Sequence, residues 1–159
     1  MPNVYRPDFD AEQERPPFNW RRARLGRQAG AEQLGASLYE IPPGSSSFPL
    51  HVHHGNEELV VVLEGAPTLR TLEGERELAP GEVVACLPGR AGAHRIDNRS
   101  GAPARLLIVS TMIAPELNEY PDTGRVWART NAPGRDPADG DVQIIGPPND
   151  SADPLEGEG

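Results

Sequence analysis

The feature that most limits the fold of this chain is the regular interruption of its apolar segments by glycine and proline. The clearest apolar runs are residues 36–41, 59–63 and 83–87, which end at Pro42-Pro43-Gly44, Glu64-Gly65 and Pro88-Gly89. Each run has the length of a strand and is too short for a typical helix. The 17 glycines and 18 prolines supply turns between such strands. These observations predict an all-β protein.

Further strand-like segments extend this pattern over the middle of the chain. They are residues 48–53, 68–72, 76–78, 94–97 and 105–112. Together they make about eight strands, the number expected of a barrel or jelly roll. We therefore divide the chain into an N-terminal arm (1–33), a β-barrel (34–113) and a C-terminal extension (114–159). We expect the extension to be partly disordered, because its closing segment SADPLEGEG has almost nothing to bury.

Charge and composition exclude several functions. The chain has 15 basic and 24 acidic residues and a net charge of -9, so neither nucleic acid nor an anionic membrane surface is expected as the main partner. All the basic residues are arginine, and the lack of lysine excludes Schiff-base chemistry. Cys86 is the one cysteine, so no intramolecular disulfide can form. The opening residues lack an apolar signal region, and we expect a cytoplasmic protein.

Two predicted strands, 59–63 and 106–109, are apolar on both faces. A strand with one face in water would alternate between apolar and polar residues, so something must cover the outer face of these two. The candidates are the N-terminal arm, the segment 120–127 and a second subunit. Of these we favour a homodimer.

Three of the four histidines fall within four residues, at positions 51, 53 and 54. On a strand, His51 and His53 point to one face. Glu58 opens the next apolar strand after a hairpin-sized loop, and His94 opens another strand after a Pro/Gly turn. Three imidazoles and one carboxylate suit Fe, Mn, Ni, Co or Zn. Glu58 and His94 could thus approach the same ion as His51 and His53.

These residues resemble the two sequence motifs of the cupin superfamily. The first motif is approximated by Gly44, His51, His53, Glu58 and Gly65, and the second by Gly81, Pro88, Gly92, His94 and Asn98. The spacers 44–51 and 81–88 are each one residue longer than usual, and Gly92 comes later than the pattern asks. These differences affect loops rather than ligands. The resemblance implies a double-stranded β-helix, a jelly-roll barrel, with an extended N-terminal arm and an irregular C-terminal tail.

The same resemblance implies a small single-domain cupin with one divalent transition metal ion per chain inside the barrel. The ligands that it implies are His51, His53, Glu58 and His94. The leading hypothesis is a metal-dependent enzyme that acts on a small molecule there, either as a dioxygenase or as an isomerase or epimerase. The alternative is a non-catalytic module that binds a small ligand in the same barrel as a sensor or storage protein. A third hypothesis, an interaction protein whose arginine-rich arm contacts an acidic partner, rests on charge alone.

The sequence also suggests roles for several residues outside the predicted ligand set. An isomerase needs a general base, and the nearest titratable residues are His54 and Glu57, although His54 is expected at the rim. Residues that could line the cavity are Tyr39, Arg70 and Arg95, and an inward arginine would favour a carboxylate or phosphate substrate. We expect Cys86 to be a small buried hydrophobe. We expect Trp20 and Trp127 to be lid or clasp residues.

Overall fold

The computed structural model describes residues 1–147, which form fourteen β-strands, one short α-helix and one 3-10 helix. The strands are β1 (Ala11–Arg15), β2 (Phe18–Ala23), β3 (Leu34–Ile41), β4 (Ser45–Ser46), β5 (Val52–His53), β6 (Glu58–Glu64), β7 (Thr68–Arg70), β8 (Glu75–Glu77), β9 (Val83–Cys86), β10 (Arg95–Asn98), β11 (Ala104–Thr111), β12 (Glu116–Tyr120), β13 (Arg125–Arg129) and β14 (Gln143–Gly146). Helix α1 covers Leu25–Ala29, and the 3-10 helix covers Arg90–Gly92. The predicted all-β class is confirmed. The closing segment SADPLEGEG lies outside the described residues.

The strands pair antiparallel in three sheets. The first has the order β1-β2-β3-β11-β6-β9, the second β4-β10-β7-β8 and the third β14-β13-β12-β5. One core cluster takes side chains from the first two sheets, among them Ile41, Val60, Val62, Ile96 and Leu106, all at most 1% exposed. The first two sheets therefore enclose one apolar core, as in a jelly-roll barrel.

An aromatic cluster leads from this core towards the histidines. The ring centroids of Trp20, Tyr39 and Phe48 lie 5.5 to 5.7 Å apart, in edge-on or tilted arrangements. The Phe48 ring in turn lies 6.1 Å from that of His51. Such pairs are favourable beyond the area they bury, because the ring edge of one meets the face of another. Trp20 is thus a core residue rather than a lid, and Cys86 is buried in the same cluster, as expected.

The N-terminal arm covers part of the outer face of the first sheet. Leu25 of α1 packs with Ala23 and Leu38, and Leu63 and Leu107 of the outer face join this cluster. Burying a leucine side chain is worth about 1.5–3 kcal/mol. The other end of the outer face stays open, since Leu59 and Val83 are 40% and 58% exposed. The expected homodimer remains a prediction.

The described part of the C-terminal extension is more regular than the sequence indicates. Strands β12, β13 and β14 form a meander, and β12 pairs with β5 through Glu119 with Val52 and Asn118 with His53. The backbone N–H and C=O groups of the short strand β5 thus find hydrogen-bond partners in β12. The extension is thereby attached next to the histidines. Within residues 1–147, no helix is long and apolar enough to cross a membrane.

Candidate metal centre

The four predicted ligands come together although they arise from separate parts of the chain. His53 ends β5, Glu58 begins β6, and His51 and His94 form an isolated antiparallel bridge. Each of the four residues offers one ligand atom, and these atoms lie within 4.8 Å of one another. The three histidines are buried, and the Glu58 side chain is only 13% exposed. The side chains that the motifs single out therefore form one compact cluster.

Each imidazole ring is oriented by a contact at Nδ1. His51 Nδ1 lies 2.9 Å from the Pro49 carbonyl oxygen, His94 Nδ1 lies 2.9 Å from the Gly92 carbonyl oxygen, and His53 Nδ1 lies 3.1 Å from Glu116 Oε1. An acceptor at Nδ1 favours the tautomer that carries its proton there, which leaves the Nε2 lone pair free for a metal. His51 and His94 are thus prepared to bind through Nε2. His53 Nδ1 also lies 2.8 Å from the Asn118 side-chain nitrogen, so Glu116 and Asn118 together orient this ring.

The donor set fits a transition metal ion. His94 Nε2 and His53 Nε2 lie 3.1 and 3.5 Å from Glu58 Oε2, so imidazole and carboxylate donors converge on one point. Three nitrogens and one carboxylate match the preferences of Zn, Fe, Mn, Co and Ni. Calcium and magnesium prefer sites made of oxygen ligands. The cluster could therefore hold a metal ion of the first group.

Gly92 shapes the turn that delivers His94. A Cβ atom added at this position would lie 1.8 Å from the Leu87 carbonyl oxygen and 2.5 Å from the Leu87 nitrogen. Only glycine permits this close approach of two backbone segments. The carbonyl of Gly92 is also the group that contacts His94 Nδ1. The glycine of the second motif thus has a direct role in placing a ligand.

Glu116 is a residue of this centre that was not predicted from the sequence. It is 2% exposed, its Oε1 contacts His53 Nδ1, and its Oε2 accepts a hydrogen bond from Asn56. Asn56, also buried, accepts hydrogen bonds from the Ile113 nitrogen at 2.8 Å and from Thr111 Oγ1 at 2.9 Å. Glu116 lies beyond both motifs. Sequence alternation would place Leu117 inside and Glu116 outside, and the structure shows the reverse, so the sequence carried no signal for this residue.

The cluster has strongly shifted pKa values. Burial alone would lower the pKa of His53 and of His94. Hydrogen bonds to Glu116 and Glu58 outweigh it and raise the pKa of His53 to about 9. Hydrogen bonds to Cys86 and Glu58 raise the pKa of His94 to about 10. Burial, helped by the neighbouring His94 and His53, lowers the pKa of His51 to about 3. Burial would raise the pKa of Glu58, but hydrogen bonds to His53 and His94 hold it well below its usual range.

The cluster faces a cavity of about 590 Å³. Three side chains outside the ligand set that face it are Tyr39, Tyr120 and Trp127. Tyr39 was expected to line the cavity, and it does. Trp127 was expected to be a lid or clasp residue, and its side chain also lines the cavity. Arg24 and Arg27 also line the cavity, and both form ion pairs with Asp136. Contacts between the two ends of the chain thus form part of the cavity wall.

Arg70 and Arg95, which could have lined the cavity, and His54 and Glu57, the candidates for a general base, are not among its lining residues. Arg70 pairs with Asp122 at 2.7 Å, and Arg95 pairs with Asp97 at 2.6 Å. The His54 side chain is 37% exposed and lies 3.4 Å from Glu119, and Glu57 is exposed. His54 is therefore a rim residue, as expected. Neither His54 nor Glu57 is among the residues that line the cavity. The strand alternation that turns Glu58 inward turns Glu57 outward.

The fold and the cluster define a jelly-roll barrel with a buried His/His/Glu/His centre. Residues 37–110 match the family model described as "Cupin domain". The barrel of this chain is therefore a cupin domain. The predicted resemblance is confirmed. None of the curated proteins matches the chain.

Solved structures of small cupins are similar over most of the chain. A sugar phosphate isomerase of the cupin superfamily from Silicibacter pomeroyi is 27% identical, covering 95% of this chain and 97% of its own, with a TM-score of 0.76. A protein from Acidithiobacillus ferrooxidans, named provisionally as a sugar phosphate isomerase, is 27% identical over 84% of this chain and 82% of its own, with a TM-score of 0.72. The polyketide cyclase RemF from Streptomyces resistomycificus is 28% identical over 70% of this chain and 79% of its own, with a TM-score of 0.57.

Substitution Glu116→Gln tests the support of His53. We expect it to weaken binding of Co²⁺ or Zn²⁺ about 10- to 100-fold, because an amide lacks the charge that holds the Nδ1 proton of His53. The matched control is Glu119→Gln on the same strand, since Glu119 bonds Arg90 and His54 at the surface. The dissociation constants are measured by competition with a chelator. Equal affinities for the two variants would contradict this role of Glu116.

Metal binding should depend on pH in a defined direction. His53 and His94 must lose a proton before Nε2 can bind, and their raised pKa values keep both protonated at neutral pH. Affinity should therefore rise from about pH 6 to about pH 9, and binding at pH 7 should release protons. Calorimetry in buffers of different ionisation enthalpy measures the release, with His54→Gln as the variant expected to match the wild type. Affinity independent of pH over this range would show that these imidazoles are not ligands.

Proposed function

We propose that the chain is a metal-dependent isomerase acting on a small polyhydroxylated substrate in the barrel cavity. In this proposal one divalent transition metal ion per chain is held by His51, His53, Glu58 and His94. The observation that carries it is the buried cluster opening onto a cavity of about 590 Å³, a volume suited to a small molecule. Similarity to the Silicibacter pomeroyi protein over nearly the whole of both chains supports isomerisation over dioxygenation.

The chemistry needs no oxidant. Interconversion of an aldose and a ketose moves hydrogen between two adjacent carbons and between their two oxygens, so substrate and product have the same composition. When bound, the metal ion would supply a Lewis acid for the substrate oxygens. The protein's own groups must then carry protons and exclude water.

Two phenols are placed to exchange protons with substrate oxygens. Tyr39 and Tyr120 both line the cavity, on the first and third sheets. Burial raises the pKa of Tyr39, opposed by Arg22, and burial also raises the pKa of Tyr120, opposed by Arg129. Both phenols are therefore neutral at pH 7. A phenol can donate its hydroxyl proton to the carbonyl oxygen of the substrate and regain a proton from the neighbouring hydroxyl group, while the carbon-bound hydrogen passes as hydride from one carbon to the other.

Apolar side chains form part of the cavity wall. Phe48 and Ile108 line the cavity and pack against the main core, and the Phe48 ring lies beside His51. Apolar surroundings strengthen the interaction of a phenol with a developing negative charge on a substrate oxygen.

The test combines metal analysis with turnover. Protein purified without a histidine tag or chelator should contain about one transition metal ion per chain, lost in His94→Ala and retained in His54→Ala. A panel of aldoses, ketoses and their phosphates is incubated with each protein in deuterated water, and NMR follows interconversion and uptake of solvent deuterium. We expect turnover by the wild type and by His54→Ala, without oxygen.

The outcomes separate the alternatives. Turnover that consumes oxygen would replace the isomerase with the dioxygenase considered above. Full metal content without turnover of any compound would favour the non-catalytic binding module. Unchanged metal content and unchanged turnover in His94→Ala would contradict the proposed site itself.

A further inference from the structure

Both tryptophans of the chain are followed two residues later by an arginine. Trp20 and Arg22 lie on β2, and Trp127 and Arg129 lie on β13. Residues two apart on a strand share a face. The Cζ atom of Arg22 lies 5.5 Å from the Trp20 ring centroid, and that of Arg129 lies 4.3 Å from the Trp127 ring centroid. Each guanidinium is thus held against an indole ring by a cation–π contact.

The two arginines come from different sheets and line the same cavity as the His/His/Glu/His cluster. Among the described residues, the Nε atoms of both Arg22 and Arg129 are buried without a hydrogen-bond partner. Arg22 also forms a hydrogen bond with the neutral Tyr39 side chain, but no carboxylate within residues 1–147 pairs with it. The other arginines of the cavity wall bond to carboxylate or carbonyl oxygens. Arg24 and Arg27 bond Asp136, and Arg135 donates to the Glu32 backbone oxygen.

The carboxylates whose charges act on Arg129, Glu116 and Glu58, form their hydrogen bonds with other groups. Glu116 is its register partner, but the Glu116 oxygens contact His53 and Asn56. Glu58 is paired with His53 and His94. Burial lowers the pKa of Arg129, which shows that its charge lies in partly dehydrated surroundings. A buried donor without an acceptor costs free energy, and an anion that accepts from it removes that cost.

We propose that Arg22 and Arg129 form an oxyanion-binding subsite for the phosphate or carboxylate group of the substrate. The rigid guanidinium fork matches the geometry of both oxyanions. A chain without lysine must use arginine for this task. The subsite would hold the charged end of a small molecule while its hydroxyl-bearing end faces the cluster. The identity of the rest of the substrate rests on the proposed function. Binding of an anion at the two arginines can be tested without turnover.

Binding is measured with glycerol 3-phosphate, glycerate, inorganic phosphate and uncharged glycerol. Titrations use calorimetry and tryptophan fluorescence, which is a direct reporter because each indole lies against one of the two guanidiniums. The variants are Arg22→Gln, Arg129→Gln and the double variant. The control is Arg125→Gln, an exposed arginine on the same strand as Arg129. Thermal unfolding of each variant verifies the fold.

We expect glycerol 3-phosphate or glycerate to bind and glycerol not to bind. Each single variant should lose affinity roughly ten- to a hundredfold, and Arg125→Gln should match the wild type. If both arginines contact one anion, the double variant loses less than the product of the two single losses. The preference between phosphate and carboxylate then identifies the oxyanion.

Two binding results and one kinetic result would overturn the subsite. One is the absence of saturable binding of every anion by the wild type up to about 10 mM, which needs no variant to fold. The other is equal loss of affinity in Arg125→Gln, which would indicate general charge attraction. Failure of the isomerase proposal has a different signature, because anion binding would then remain sensitive to Arg22 and Arg129 without turnover of any sugar. Turnover with a KM unchanged in both single variants would remove the subsite and leave the isomerase.

Discussion

An antiparallel bridge between His51 and His94 is the contact on which the site depends. Their backbones exchange two hydrogen bonds, of 3.2 and 3.0 Å, which place the two imidazole centroids 4.4 Å apart. Directly opposed residues of an antiparallel pair have their side chains on one face. The bridge thus joins the two motifs, and the addition of His53 and Glu58 completes the cluster. The tight turn at Gly92 and the buried Glu116 then orient individual rings.

The barrel alone does not make this site. The C-terminal extension contributes Glu116, which contacts His53, and Arg129, which faces the cavity. The N-terminal arm contributes Arg22 to the same cavity and Trp20 to the aromatic cluster. The two ends also meet through Asp136, which pairs with arginines of the arm. The arm and the extension therefore contribute residues to the cavity wall in addition to packing against the barrel.

Short apolar runs and their turns were sufficient to predict the fold class, and strand alternation put His51 and His53 on one face. The resemblance to the cupin motifs completed the cluster, and the spacing to Gly65 favoured Glu58 over its neighbour Glu57. Alternation could not place residues that depend on which strands become neighbours. Pairing of β12 with β5 decides the position of Glu116, and no local pattern encodes that pairing. Strand parity likewise left Arg70 and Arg95 only as residues that could line the cavity. In the structure, Asp122 and Asp97 bind them.

Anomalous diffraction from crystals grown with Co²⁺ tests the central claim most directly, since the signal locates the ion without assumptions about its ligands. The account predicts one peak per chain, bound by the Nε2 atoms of His51, His53 and His94 and by the Glu58 carboxylate, at distances of about 2.0–2.3 Å. A peak at any other group, binding through Nδ1, or no peak at saturating Co²⁺ would contradict it.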